Sequence, residues 1–403
     1  MLTILATHPI QYQVPLWREA TNRLQGRAEV WYLSDRGHRE AFDRGFGRTI
    51  GWDIDLLGGY AHRFPGGRVS HPYTFNGMRA QWIDRELRTS GTSALLVNGW
   101  FPRAYWDAVA AAHRIGIPVL LRAETNDIRR PSAPRALVRR HALRWLFTRV
   151  SCFLTIGRAN ARFYRAFGVP ADRLVSSPYG VDNRRFMDAA ENLLPDRQAL
   201  RRRWSIPEDG TCFLFCGKFT PKKRVGDLLD AFERLAAAAR PGVPPVHLLL
   251  VGDGEQMIDV ERRMTRIAER AGRRCITIAG FLNQSAMPEA YVAADCLVLP
   301  SDAGETWGLV VNEAMACGVP AVVSDQVGCA EDLIVEGITG STFRTGDVEG
   351  LVSALQRWSD FRVCAAARAA VRRRVAEYSI ERAADGLVQA YGEVASALQS
   401  AAV

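Results

Sequence analysis

The stretch Leu297-Val298-Leu299-Pro300-Ser301-Asp302-Ala303-Gly304-Glu305-Thr306-Trp307-Gly308-Leu309-Val310-Val311-Asn312-Glu313-Ala314-Met315-Ala316-Cys317-Gly318 decides how this chain folds. An unbroken apolar run of strand length, Cys296–Leu299, enters a glycine-containing loop, and a helical pattern follows from near Gly308. A strand that is apolar on every residue belongs to a parallel sheet covered on both faces. The loop at its carboxyl end meets the start of the next helix, whose unpaired N–H groups and dipole favour an anion. Glu305 is therefore expected in a ligand-binding loop. Glu313, five residues after Gly308, falls in the second turn of the helix, where a carboxylate can accept hydrogen bonds from a vicinal diol such as ribose. The bland alternative is one acidic residue favouring the helix dipole and one ordinary surface glutamate.

The same strand-then-helix alternation runs outward in both directions. After the midpoint come strand candidates Cys212–Cys216, His247–Val251, Ile276–Ala279 and Ala321–Ser324, with helices at Val225–Ala239 and Glu255–Ala271. Before it come Leu2–Thr7, Glu29–Ser34, Ala94–Asn98, Val119–Arg122 and Cys152–Ile156, with amphipathic stretches Val14–Leu24 and Tyr105–Arg114. Residues Asn183–Asp209 are polar and Arg-rich, carry no strand signal, and read as a linker. Ile380–Leu398 is a closing amphipathic helix. Two doubly wound α/β halves are expected, with ligands at the carboxyl ends of their strands.

Composition agrees with a two-domain globular protein. The 403 residues are 48% hydrophobic and 24% charged, too long for one ordinary core and too apolar for disorder. No apolar run approaches the ~18 residues of a membrane-spanning helix. The opening Met1-Leu2-Thr3-Ile4-Leu5-Ala6 lacks a basic region and reads as a first strand, not a signal peptide. Eight scattered cysteines show neither a CxxC pair nor metal-ligand spacing, which fits reduced thiols in a cytoplasmic protein.

Charge is uneven. Residues 1–184 carry 27 arginines against 14 acidic residues, a net +13, while the remainder is −4. A basic first half can face an anionic acceptor, a membrane surface or nucleic acid, or simply reflect arginine-rich solvated faces. More telling, 49 of the 52 basic residues are Arg, and the three lysines are Lys218, Lys222 and Lys223. They follow a strand, in Phe215-Cys216-Gly217-Lys218-Phe219-Thr220-Pro221-Lys222-Lys223-Arg224. Lysine is a compact point charge and arginine a planar fork, so this cluster reads as a phosphate grip.

On these residues the chain resembles glycosyltransferase family 4. The two glutamates Glu305 and Glu313 followed by Ala314-Met315-Ala316-Cys317-Gly318-Val319-Pro320 look like its signature, and the Gly217–Arg224 loop is similar to its donor loop. The resemblance covers most of the second half and implies a GT-B fold, two Rossmann-like doubly wound domains facing across a cleft. It implies a retaining glycosyltransferase of the hexosyltransferase type that uses a nucleotide-sugar, with UDP-sugars favoured and GDP-sugars allowed. Glu313 would hold the ribose hydroxyls, the amides of Gly308, Leu309 and Val310 the phosphates, and Glu305 the transferred sugar near the reacting face. Lys218 and Lys223 would grip the diphosphate, with Lys218 standing where arginine is common and Arg224 where glycine is usual. Gly217 and Gly252, in Val251-Gly252-Asp253-Gly254, would line the donor pocket, and Phe281 and Leu282 would accommodate the base. Glu305 and Lys223 are the catalytic candidates.

The first half speaks less clearly. His8-Pro9-Ile10-Gln11 follows the first strand, where relatives place a loop beside the acceptor and the sugar, here without its pair of glycines. His8 and Gln11 are acceptor-side candidates, with His8 equally readable as a structural cap. Arg122 and Glu124 stand where many relatives carry an active-site histidine, either as acceptor-side groups or as a structural salt bridge. Asp53-Ile54-Asp55 matches a metal-binding DxD but sits in an apparent alternating strand without neighbouring ligands. No metal or cofactor is expected beyond the nucleotide-sugar co-substrate. Arg139, Arg140, Arg144 and Arg149, with Leu143, Trp145, Leu146 and Phe147, describe either a basic helix resting on anionic lipid or an ordinary surface helix.

The expected organisation is an acceptor domain over 1–184, completed by 380–403, a linker over 185–209 and a donor domain over 210–379. The acceptor is a glycan, a lipid-linked sugar or a small molecule, in polysaccharide biosynthesis or secondary metabolism. Peripheral contact with the inner face of a membrane is open, and no nucleic-acid partner is expected. Three readings compete: a sugar-nucleotide epimerase of the same fold, a catalytically silent binding module of glycan assembly, and a nicotinamide-dependent oxidoreductase. The last is disfavoured because Gly252 and Gly254 lack the full G-x-G-x-x-G spacing.

Overall fold

The computed structural model describes residues 1–43, 45–67, 74–128, 133–238, 244–359 and 364–401. Its strands are β1 (Leu2–Ala6), β2 (Ala28–Tyr32), β3 (Ala41–Asp43), β4 (Arg48–Ile50), β5 (His62–Arg63), β6 (Ala94–Val97), β7 (Val119–Arg122) and β8 (Cys152–Thr155). They continue with β9 (Leu174–Ser176), β10 (Thr211–Cys216), β11 (Val246–Val251), β12 (Ile276–Gly280), β13 (Cys296–Leu299), β14 (Ala321–Ser324) and β15 (Gly340–Phe343). The chain divides into two compact units. One comprises Met1–Ala41, Ile54–Gly180 and Ser379–Val403, and the other Phe42–Asp53 and Val181–Tyr378.

The first unit holds a seven-stranded sheet in the order β5-β2-β1-β6-β7-β8-β9, and every pair is parallel. Its central strands are buried on both faces, β1, β6 and β7 at every residue. The closing helix Ile380–Ala401 belongs to this unit. It lies so close to β9 that a Cβ on Gly386 would meet the Ser176 carbonyl oxygen at 1.8 Å, and Ser177 Oγ donates to the Ala383 carbonyl at 2.8 Å.

The second unit holds a six-stranded parallel sheet, β12-β11-β10-β13-β14-β15, buried throughout β10, β11, β13 and β14. One core cluster gathers Phe213, Phe215, Leu248, Leu250 and Val298 from the sheet with Leu228, Leu229 and Phe232 from the helix Val225–Ala237. Parallel pairing places the carboxyl ends of β10, β11, β12 and β13 on one edge, so the loops that follow them are neighbours. Among the described residues no helix is long and apolar enough to cross a membrane.

Several sequence expectations need correction. The stretch read as a linker is helical, with helices Asn183–Leu193 and Arg197–Arg203, and it lies inside the second unit. Its arginines made it look solvated, yet Arg201 is fully buried. It donates to the carbonyls of Ala293 (3.1 Å), Pro207 (2.6 Å) and Gly210 (2.5 Å) and to Asp295 (3.0 Å). Phe42–Asp53, placed by sequence in the first domain, packs with the second unit. Trp52–Leu56 is not a strand; it is irregular, bent backbone. Strands β9 and β15, of three and four residues, were not anticipated, and Ala239 at the end of the expected helix lies outside the described residues.

Because the fully buried Arg201 supplies four donors to buried and half-buried groups, Arg201→Ala should destabilise the protein by about 3–5 kcal/mol in urea unfolding. A loss below about 1 kcal/mol would mean that these groups find other partners.

Candidate active site

The loops at the carboxyl edge of the second sheet are stitched to one another by backbone hydrogen bonds. Gly217 N donates to Val251 O at 2.9 Å, Gly252 N to Gly280 O at 2.8 Å, and Phe219 N to Asp253 O at 2.8 Å. Gly252 has φ +147°, and a Cβ there would lie 1.9 Å from the Gly217 carbonyl oxygen, so no larger residue fits. These contacts bring Gly217, Lys218 and Gly252 together at the ends of β10 and β11. Phe281 and Leu282, both half-buried, follow β12 on the same edge.

The loop after β13 is equally constrained. Glu305 N donates to Asp302 O at 2.9 Å, Ala303 N to Gln326 Oε1 at 3.0 Å, and Cys329 N to Trp307 O at 3.0 Å. Asp302 N reaches Lys222 O at 2.9 Å, joining this loop to the lysine segment. Gly308 turns the chain into the helix Leu309–Ala316 at φ +99°, and a Cβ there would press on Leu299 at 2.9 Å. The Leu309 and Val310 N–H groups head that helix, and both residues are half-buried. First-turn amides have no acceptor inside their own helix and carry the positive end of its dipole.

The lysines are placed by this framework and held by carboxylates. Lys223, in the turn Pro221–Lys223, forms an ion pair with Glu305, whose Oε2 also accepts from Ser301 Oγ at 3.3 Å. The pair is mostly buried, with side chains 12% and 15% exposed. Lys218 Nζ is bound by both oxygens of Asp43, at 2.7 and 2.9 Å. Lys222 approaches the same loop, since a Cβ on Gly304 would lie 3.4 Å from its Cδ. Glu313 is 1% exposed and accepts from Tyr291 Oη at 2.5 Å, so the carboxylate expected to meet a diol is engaged by a buried tyrosine.

In the first unit, His8 stands just past β1, its Nδ1 3.0 Å from Thr7 Oγ1. Burial, with the charge of Arg36, pushes its pKa down to about 4. Gln11 is half-buried in the turn before the helix Val14–Arg23. Arg122 and Glu124 are not an ion pair among the described residues. Glu124 accepts from Tyr179 Oη at 2.6 Å and from Gln13 Nε2 at 3.3 Å, while Arg122 is buried beside the Tyr179 ring at 5.0 Å. Burial lowers the Arg122 pKa below the usual guanidinium value.

The Asp53 and Asp55 carboxylates serve separate local roles. Asp53 accepts from Ser285 N at 3.2 Å, and Asp55 accepts from Leu57 N (2.9 Å) and Gly58 N (3.0 Å). Among the described residues no group of three or more His, Cys, Asp or Glu is arranged to hold a metal ion. Sequence reasoning missed Asp43, Tyr291 and Tyr179. Each meets its partner across 22 to 175 residues, and no local pattern marks such pairs.

Comparison with known proteins agrees with this architecture. Residues 18–180 match the model described as Glycosyl transferase 4-like domain, and residues 196–381 match Glycosyl transferases group 1. The D-inositol 3-phosphate glycosyltransferase of Geodermatophilus obscurus is 32% identical over 241 residues, 58% of this chain and 50% of that protein. The chain thus spans about half the length of that curated relative. A glycosyltransferase from Rickettsia africae superposes with a TM-score of 0.71 at 14% identity, covering 98% of each chain. Anabaena HepE in complex with UDP superposes at 0.69 with 17% identity, covering 97% of this chain and 99% of that one. The fold is GT-B. The chain belongs to glycosyltransferase family 4.

A histidine whose pKa drops from 6.5 to about 4 on folding binds fewer protons in the native state across that interval. Its stabilising contribution is complete above pH 6.5 and is lost as pH falls through 6.5 towards 4. The buried His247, also held near 4, adds to the same slope. Urea unfolding between pH 7 and 4.5 should therefore show a shallower acid loss in His8→Gln than in the wild type. Parallel curves would mean that His8 can be protonated without cost in the folded protein.

Proposed function

We propose that this chain transfers a sugar, with retention of configuration, from a nucleoside-diphosphate sugar to a hydroxyl of a glycan, lipid-linked or small-molecule acceptor. What supports this most directly is the meeting of two lysines, glycine-lined loops and a helix start on one sheet edge, in a chain that otherwise uses arginine for its cations. A UDP-sugar is the first donor to test, since the structurally similar HepE binds UDP. Lys218, Lys223 and the Gly308–Val310 amides face the diphosphate, Gly217 and Gly252 line its path, and Phe281 and Leu282 receive the base. Glu313, oriented by Tyr291, meets the ribose. The Lys223 partner Glu305 faces the transferred sugar.

In this mechanism the acceptor hydroxyl attacks the anomeric carbon on the face from which the diphosphate departs. The carbon–phosphate-oxygen bond breaks, and the hydroxyl proton passes to the leaving phosphate. Negative charge grows on the diphosphate as the bond lengthens, and preorganised donors stabilise it more than they stabilise the bound substrate. Fixed ammonium groups take the place of a divalent ion. His8, neutral through its depressed pKa, Gln11, Arg122 and Glu124 belong to the acceptor side in the first unit.

Unit one also offers a surface for anionic lipid. Residues 128–171 hold ten arginines and no acidic residue. On the helix Ala133–Phe147, Leu137, Val138 and Trp145 are 59%, 71% and 41% exposed, while Leu143, Leu146 and Phe147 face the core. Trp145 stacks on Trp106, which contacts the exposed Phe75. Aromatic rings set among arginines suit the headgroup boundary of a membrane. Wild-type protein should sediment with vesicles containing anionic lipid, and Trp145→Ala/Arg144→Glu should sediment less. Equal sedimentation of both would remove this surface.

Lys223→Ala should lower kcat, compared per folded molecule, by about 10²–10³, and should also cost some stability because Glu305 loses its cation. Glu313→Gln, which keeps an acceptor for Tyr291, should weaken nucleoside-diphosphate binding about tenfold or more. Transfer should persist in EDTA. Full turnover by Lys223→Ala with its substrates, or release of nucleoside diphosphate that never depends on acceptor, would defeat the proposal.

A further inference from the structure

Among the described residues, Phe42–Asp53 groups with the second unit although it comes from the first part of the chain. Strands β3 and β4 form a two-stranded sheet there. The segment touches all three loops that follow β10, β11 and β12. At the first, both oxygens of Asp43 hold Lys218 Nζ, and the Phe46 ring lies 4.7 Å from the same ammonium. At the second, a Cβ on Gly254 would come within 3.1 Å of the Gly45 carbonyl oxygen. At the third, Phe46 sits edge-on to Phe281 at 5.1 Å, and the Arg48 guanidinium is 5.2 Å from its centroid. Asn283 Nδ2 then donates to Gly51 O at 2.7 Å.

Asp43 is itself fixed in place. Its Oδ1 accepts from Gly45 N at 2.8 Å and Phe46 N at 3.1 Å, so the turn that shapes the segment also aims the carboxylate. An ammonium has three donor directions. On Lys218 a two-oxygen carboxylate and an aromatic ring already stand against the ammonium. Phosphate and carboxylate are like charges and repel when both crowd one cation.

We propose that Asp43 is a specificity-determining residue of the donor site: it holds Lys218 as an internal counter-ion that only a strongly anionic group, the diphosphate of the nucleotide, displaces. This inference rests on the donor reading above. The segment thereby makes charge a condition of entry. An uncharged nucleoside contacts the Phe281 side without releasing Lys218, a monophosphate competes weakly, and a diphosphate exchanges one charge-assisted pairing for another. Phe46 and Arg48 remain beside the base loop.

Calorimetric titration of the full chain with UDP, GDP, UMP and uridine tests the idea. Asp43→Asn keeps an oxygen for the Gly45 and Phe46 amides, so the turn is retained, which thermal melting checks. This variant should bind the preferred nucleoside diphosphate about tenfold more tightly than wild type, with uridine affinity unchanged. Lys218→Ala should weaken diphosphate binding and abolish the gain when combined with Asp43→Asn. Diphosphate affinity that Lys218→Ala lowers but Asp43→Asn leaves unchanged, or lowers too, would overturn this inference alone. Failure of wild type and Asp43→Asn alike to bind either diphosphate would overturn the donor reading and this inference with it.

Discussion

Every feature of the second unit depends on how parallel strands must be connected. A parallel pair cannot be joined by a tight turn, so each strand returns through a crossover helix, and the loops leaving the strands collect on one edge. In the second unit this puts the ends of β10, β11, β12 and β13 side by side. Loops so placed need internal support, because the carboxyl edge offers unpaired backbone groups. Here the support is mutual: the loop after β10 bonds to that after β11, and Asp302 N bonds to Lys222 O. Glycines at 217, 252 and 308 allow the approach, two of them against atoms that leave no room for a Cβ.

The second constraint is electrostatic. A lysine drawn towards a protein's interior keeps its charge only with a partner. Lys223 has Glu305 and Lys218 has Asp43, so the cations proposed for the donor are neutralised before any ligand arrives. Such pairs keep the edge folded and solvated without a ligand, and they make binding an exchange of counter-ions. The two pairs differ in exposure. Lys223 and Glu305 are 12% and 15% exposed, whereas Lys218 and Asp43 are about one-third exposed, so the second pair is more screened and more readily exchanged.

Arginine plays the opposite part. At 197 and 201 it binds Asp295 and a set of backbone carbonyls, fastening the helices of the expected linker to the segment that leads into β13. A planar fork with five donors can satisfy several carbonyls at once, which an ammonium cannot do with fixed geometry. Arginine thus serves to staple these helices, while all three lysines fall in the loop after β10.

The sequence by itself determined the fold class and marked the loops on which the proposed donor site is built. Fully apolar strands alternating with amphipathic helices admit few arrangements besides covered parallel sheets, and Gly308 with the lysine cluster marks the loops at their ends. Boundaries of the apolar central strands were legible to within about a residue or two, whereas β9 (Leu174-Val175-Ser176) and β15 (Gly340-Ser341-Thr342-Phe343) lack the apolar run that marks the others. Only the tertiary structure decided which groups neutralise which. Asp43 lies 175 residues from Lys218, Tyr291 lies 22 from Glu313, and Tyr179 lies 55 from Glu124. Hydrophobic periodicity reports which face of an element is buried; it carries no information about which polar side chain from a distant element will stand opposite. Those pairings arise from packing, where each buried polar atom takes whichever partner the fold brings within reach.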